Sequence, residues 1–213
     1  MSILVLLRHG QSQWNLENRF TGWTDVDLTP AGRADAVLAG KSMKDFHYDA
    51  VFVSRLKRSV DTYKAFAEGQ GVPEISVIAD EALNERHYGD LQGLNKSETI
   101  KKFGEQQVKL WRRSYSTRPP GGESIEDCER RTWPYFQKNI LPLLASGKNV
   151  LVVAHSNSLR PIMKNLDGMK PDDAAVMEIS CSVPYVYTFK GENVTKKEIR
   201  EVPGMEVKGT VIK

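Results

Sequence analysis

The chain has 213 residues, of which 40% are hydrophobic and 27% charged, with a formal net charge of +3. That composition suits a globular protein with ample material for a core, and no apolar run approaches the ~20 residues of a membrane span. The small, dispersed basic surplus lacks the dense basic stripe of a nucleic-acid binder, so a few placed arginines point instead to a small anionic ligand.

In chain order, residues 3–7 read as a buried strand that runs into RHGQSQWN, Arg8 to Asn15. This sets His9 at the carboxyl end of a strand, where α/β sheets place their chemistry. Met1 leads straight into that strand with no signal-peptide pattern. Thr29 and Pro30 supply an N-cap and a first-turn proline for a helix to Met43. Residues 50–53 form a second strand, followed by SRLKRSVDT and a helix over 56–68. Arg58 falls in its opening turns, a cation opposed to the helix dipole that a bound anion would offset. A third strand spans 76–79 and a long helix 96–114.

After the breaker loop Arg118 to Gly122, Ser124 and Asp127 resemble a capping box. The helix they open runs towards Leu144, with a kink expected at Pro134. Residues 150–154 repeat the opening logic: a strand, then His155, then small polar residues that start a helix over 157–166. Amides at such a helix start bind anions. Residues 184–190 read as an edge strand because of Pro184. The polar stretch from Gly191 onward reads as a frayed terminus or a mobile flap, leaving 1–190 as a single catalytic domain. The alternation of strands and helices predicts an α/β sandwich with a largely parallel sheet.

Two histidines at strand ends of one sheet can face each other across a crevice. A metal is not expected between them, since the chain has neither HExxH nor CxxC. His47 reads as a loop residue, and Cys128 and Cys181 as free thiols of a cytosolic protein.

RHGQSQWN, TGWTDVDLT, SRLKRSVDT, LNERHYGDLQGLNK, WRRSY and AHSNSLR occur in that order. Together they resemble the histidine phosphatase superfamily and, within it, the bisphosphoglycerate-dependent phosphoglycerate mutases. The similarity runs from about Leu4 to Tyr187. It implies a three-layer α/β/α sandwich and a metal-independent enzyme that moves a phosphoryl group between the 2- and 3-hydroxyls of glycerate. 2,3-Bisphosphoglycerate is the implied primer and small phosphoglycerates are the implied ligands. By the same resemblance His9 is the nucleophile and Glu85 the proton carrier, while Arg8, Arg58 and His155 surround the phosphate. Asn15, Ser12, Thr21, Gly22, Arg86, His87, Tyr88, Lys96, Arg112, Arg113, Ser156 and Asn157 complete the contacts. A neutral histidine with one ring nitrogen bonded to a carbonyl would suit that nucleophile.

On a helix Arg112 and Arg113 would point about 100° apart, so the helix is expected to end near Ser114. Three departures from the family pattern stand out. Ser156 replaces a glycine, which matters if that position needs a positive φ. Gln13 replaces glutamate, whereas Ser12 follows the mutases rather than the bisphosphoglycerate synthases. The stretch from Tyr115 to Ser124 is short, which leaves a monomer or a small homo-oligomer open. A phosphatase acting on a small ester, or an impaired relative that only binds phospho-ligands, remain the alternatives.

Overall fold

In the computed structural model, which describes residues 1–205, the opening apolar run forms β1, Ser2–Arg8. A short helix α1, Gln13–Leu16, and then α2, Pro30–Ser42, lead to β2, Ala50–Ser54. Next come α3, Lys57–Gln70, and β3, Val77–Asp80. Helices α4, Lys96–Phe103, α5, Glu105–Arg113, α6, Ile125–Asn139, and α7, Leu141–Ala145, precede β4, Val150–Ala154. The chain continues through α8, Ser156–Asp167, α9, Pro171–Val176, β5, Pro184–Lys190, and β6, Asn193–Ile199.

The sheet order is β3-β2-β4-β1-β5-β6. The first four strands are mutually parallel, and β5 and β6 are added antiparallel. Successive residues of a strand face opposite sides, and here both sides are covered. Leu4, Leu6, Val150 and Val152 pack with Phe136 of α6 and Leu159 and Ile162 of α8. Val5, Leu7, Val51 and Val153 pack with Ala39 of α2 and Tyr63 and Phe66 of α3. The expected three-layer sandwich is therefore present, and its inner strands β1, β2 and β4 are apolar runs because neither of their faces meets water. Each such fully buried Leu contributes about 2 kcal/mol. Helices α2 and α3 touch at Gly40, where a Cβ would lie 2.0 Å from the Phe66 carbonyl oxygen.

Four local expectations differ from the structure. The 96–114 helix is two helices, broken at Gly104, whose φ of 84° stops the first. Pro134 sits inside a continuous α6, and the break comes at Ile140, just before Pro142, which has no N–H to extend the ladder. The 184–190 strand is interior: Pro184 opens it, where a missing donor costs little, and both β1 and β6 flank it. Residues 193–199 are not frayed but form the sheet edge, and Val202 beyond them is buried. The rest of the proposed flap, residues 206–213, lies outside the described residues.

The β1–β4 register pairs Arg8 with Ala154, so the chain leaves both strands side by side and His9 N–H donates to the Ala154 carbonyl at 3.0 Å. His47 lies before β2, at the opposite end of the sheet.

Candidate active site

A cavity of about 180 Å³ opens over the carboxyl ends of β1, β2 and β4. His9 sits at its base, 3% exposed, with Nδ1 2.7 Å from its neighbour, the Gly10 carbonyl oxygen. A carbonyl only accepts, so Nδ1 carries the proton and Nε2 presents a lone pair. Burial, then the charges of Arg58 and Arg8, hold this imidazole well below the usual histidine range, and it is neutral at pH 7. His155 Nε2 lies 2.7 Å from Ser54 Oγ at the end of β2, while its Nδ1 has no partner among the described residues. Burial and the charge of Arg58 also hold His155 well below its usual range.

Three structural devices aim the cations. Arg8 donates through Nη1 to the Ile179 carbonyl at 2.7 Å. Arg58, fully buried on the first turn of α3, donates to the carbonyls of Gly22 at 2.8 Å and Thr24 at 3.1 Å. Gly22 holds that carbonyl in place at φ 56°, where a Cβ would collide with Gln92 Oε1 at 2.0 Å. Burial is the main cause that takes Arg58 down to about 10. Lys96 and Arg112 are likewise lowered, chiefly by burial.

α5 ends at Arg113, as expected, so Arg112 and Arg113 lie on its last turn and both line the cavity. Arg113 is ion-paired to Glu178. Asn15 accepts on Oδ1 from Ser12 N–H and Oγ–H at 3.1 and 2.9 Å, which turns its amide NH2 outward.

Glu85 is 8% exposed, and its Oε1 accepts from Arg86 N–H at 2.8 Å and Asn157 N–H at 3.2 Å. Among the described residues, Oε2 carries no protein hydrogen bond. Arg131 holds the segment in front of it, donating to the carbonyls of Ala82, Asn84 and Glu85 at 2.8–3.0 Å.

Thr21, Tyr88 and Ser156 also line the cavity. Ser156 is the first residue of α8 and has no positive φ, so serine is unstrained where the family has glycine. Asn157 lines the cavity too, but its backbone amide is committed to Glu85 rather than free for a ligand.

Four expected residues stand behind the wall: His155, fully buried beside the His9 ring, and Ser12, Arg86 and His87. Ser12 is fully buried and braces Asn15. Arg86 is fully buried beneath Tyr88, its guanidinium 4.6 Å from the ring centre. His87 accepts on Nδ1 from Gly89 N–H and meets Trp23 edge-on. Conversely, Arg19, Phe20, Arg160 and Glu178 line the cavity without having been singled out. Arg160 had a signal, since it follows Asn157 by three residues and shares its helix face.

Seven cationic side chains line the cavity against the carboxylates Glu85 and Glu178. Such a lining suits a small polyanion, and an open imidazole nitrogen with a carboxylate beside it has the parts that phosphoryl transfer needs. The model of the histidine phosphatase superfamily (branch 1) matches residues 4–201. The chain belongs to this superfamily.

Among similar proteins of the superfamily is the 2,3-bisphosphoglycerate-dependent phosphoglycerate mutase of Cytophaga hutchinsonii, 50% identical over 192 residues, 90% of each chain. The 2,3-bisphosphoglycerate-dependent phosphoglycerate mutase 2 of Gloeobacter violaceus is also 50% identical, covering 90% of this chain and 88% of its own. Among solved structures, a putative alpha-ribazole-5'-P phosphatase from Escherichia coli shares the superfamily fold. It matches with a TM-score of 0.81 at 20% identity, over 97% of this chain and 99% of its own.

Proposed function

We propose that the protein is a phosphoglycerate mutase that interconverts 3-phosphoglycerate and 2-phosphoglycerate, with His9 as the covalent phosphoryl carrier. The observation that carries this reading is His9 itself: neutral, with Nδ1 tied to a carbonyl and Nε2 open at the base of a cation-lined cavity. Relatives at 50% identity over nine-tenths of the chain support the choice of substrate.

The cavity suits a bisphosphorylated primer by charge. 2,3-Bisphosphoglycerate supplies the phosphoryl group that loads His9. Arg8, Arg58 and Asn15 would hold the transferring group, and Lys96, Arg112 and Arg113 the remainder of the glycerate. Loaded His9 first yields its phosphoryl group to the free 2-hydroxyl of 3-phosphoglycerate as the P–N bond breaks, giving bound 2,3-bisphosphoglycerate, and Nε2 then takes the 3-phosphoryl group as that ester P–O bond breaks. Glu85, through Oε2, takes the proton of the attacking hydroxyl in the first half and returns it to the departing oxygen in the second. His155 accepts positive charge as the phosphoryl dianion forms beside it. Each well-aimed donor lowers the barrier by about 3–4 kcal/mol.

The test is a coupled assay for 2-phosphoglycerate formed from 3-phosphoglycerate with catalytic 2,3-bisphosphoglycerate. Isomerisation that vanishes in His9→Ala, with an acid-labile, base-stable label on His9 in the wild-type chain, is the expected result. Phosphate release without isomerisation would assign a phosphatase instead, and a folded chain that takes no label would assign a binding protein.

A further inference from the structure

We propose that Arg160 is a positioning residue of this site, fixing Asn157 and, through it, the proton carrier Glu85 and the ligand-facing hydroxyl of Tyr88. The proposal rests on the reading of Glu85 given above. Arg160 lies on the second turn of α8 and is only 5% exposed. Its Nε and Nη2 both donate to the Met177 carbonyl, at 3.0 and 2.8 Å, and its Nη1 donates to Asn157 Oδ1. No carboxylate pairs with it among the described residues.

The donor character of the guanidinium decides the rest. Arg160 can only donate, so Asn157 must present Oδ1 to it, and the amide NH2 is thereby turned to Tyr88 Oη at 3.3 Å. With its lone pair occupied by Asn157, the Tyr88 hydroxyl keeps its own proton for an acceptor in the cavity. The backbone N–H of Asn157 donates to Glu85 Oε1 at 3.2 Å, which leaves Oε2 as the oxygen available for proton transfer. At its other end Arg160 grips Met177, two residues before the Ile179 carbonyl that orients Arg8. One buried cation thus connects α8 to the segment that holds Arg8, and to the two groups that meet the substrate hydroxyl.

A packing role alone does not account for the charge. An unpaired buried guanidinium is costly, and an apolar side chain of similar volume would fill the space more cheaply. Burial takes Arg160 down to about 10, which records the same cost.

The test uses the full chain with Arg160→Lys, Arg160→Met, Asn157→Ala and the double variant Arg160→Met/Asn157→Ala. Isomerisation and hydrolysis of p-nitrophenyl phosphate are both followed, alongside thermal melting. Arg160→Met is expected to lower kcat by about 30–100-fold, the scale of a small misplacement of reacting groups, with KM changed by less than about threefold. Arg160→Lys keeps the charge but loses the fork, and is expected to recover less than about tenfold of that loss. Since Arg160 acts through Asn157, the double variant should be no slower than Asn157→Ala within about threefold.

Independent, multiplicative losses would overturn the proposal, as would a folded Arg160→Met enzyme within threefold of wild type. If Arg160→Met does not fold, Arg160→Lys with and without Asn157→Ala carries the same comparison. A wild-type chain that hydrolyses p-nitrophenyl phosphate but does not isomerise phosphoglycerate would sink the mutase reading, while the coupling measured on hydrolysis still decides the role of Arg160.

Discussion

The rings of His9 and His155 stand with centroids 5.0 Å apart and tilted by 55°, on neighbouring parallel strands. Both are buried and both are held well below the usual range by burial and by the arginines around them. Two neutral imidazoles side by side, one at the base of a cationic cavity and one buried behind it, suit a site that takes negative charge.

Phosphate binding should therefore be coupled to proton uptake. A dianion bound in the cavity against His9 offsets the arginine charges and raises the affinity of the pair for a proton. Titration calorimetry with inorganic phosphate at pH 7, in buffers of different ionisation enthalpy, should show net proton uptake by the protein. His155→Asn should reduce it, and a buffer-independent enthalpy would contradict this account.

The same depressed histidines make the ligand-free fold sensitive to acid. A histidine whose folded pKa lies below its ordinary 6.5 binds more protons when unfolded. Its contribution to stability is complete above 6.5 and is lost as pH falls from there towards the folded value. Urea midpoints should fall between pH 7 and pH 5, and His155→Asn should flatten that slope, provided the variant folds.

Glu85→Gln should separate proton transfer from phosphoryl binding. Glutamine keeps an acceptor for the Arg86 and Asn157 amides but cannot carry a proton. A loss of about 10²–10⁴ in kcat is expected, the range for general acid–base groups, with inorganic phosphate still bound. Unchanged turnover would remove Glu85 from the reaction.

How much of this was legible in the chain depended on whether the signal was local. The strands that carry His9 and His155 announced themselves as short apolar runs ended by an imidazole, and their pairing follows from a two-faced core. Arg58 stood out because a cation is unfavourable at a helix start. Glu178 and Phe20 had no such mark: they reach the cavity because α9 and the 20–24 segment fold back over it. Ser12 and Arg86 lie within the right motifs, yet they brace Asn15 and Tyr88 from behind. A motif records that a residue matters, and only packing distinguishes a contact from its support. The polar 193–199 stretch reads as a frayed terminus or a flap because it has little to bury, but an edge strand needs only a partner's backbone, and β5 offers one.

Ser182 offers a stability test away from the chemistry. It is fully buried at φ 54°, in the left-handed region, and its hydroxyl has no partner among the described residues. The backbone strain costs about 1–2 kcal/mol in a residue with a Cβ, while glycine gives back about 0.4–1 kcal/mol through the freedom of its unfolded chain. Ser182→Gly should therefore stabilise the protein by about 1 kcal/mol, read as a higher urea midpoint at unchanged slope. The hydrogen bond its backbone N–H donates to the Arg8 carbonyl, at 2.9 Å, survives the change.

If Arg113 holds the substrate as proposed, Glu178 should compete with the substrate for it. Its carboxylate is paired with that guanidinium at the cavity wall, about half exposed, so any acidic group of the substrate must displace it. Partly exposed pairs contribute at most about 1 kcal/mol, which bounds the effect at roughly fivefold. Glu178→Gln removes the competing charge but keeps the side chain's size, and should lower KM for 3-phosphoglycerate by about two- to fivefold with little change in kcat. The effect should shrink as ionic strength rises, because salt screens an exposed pair. Glu178→Lys, by contrast, would repel Arg113 and misplace it. A Glu178→Gln variant with unchanged or higher KM would mean that Arg113 holds its pose through substrate binding, and that the pair orients the arginine rather than restrains it.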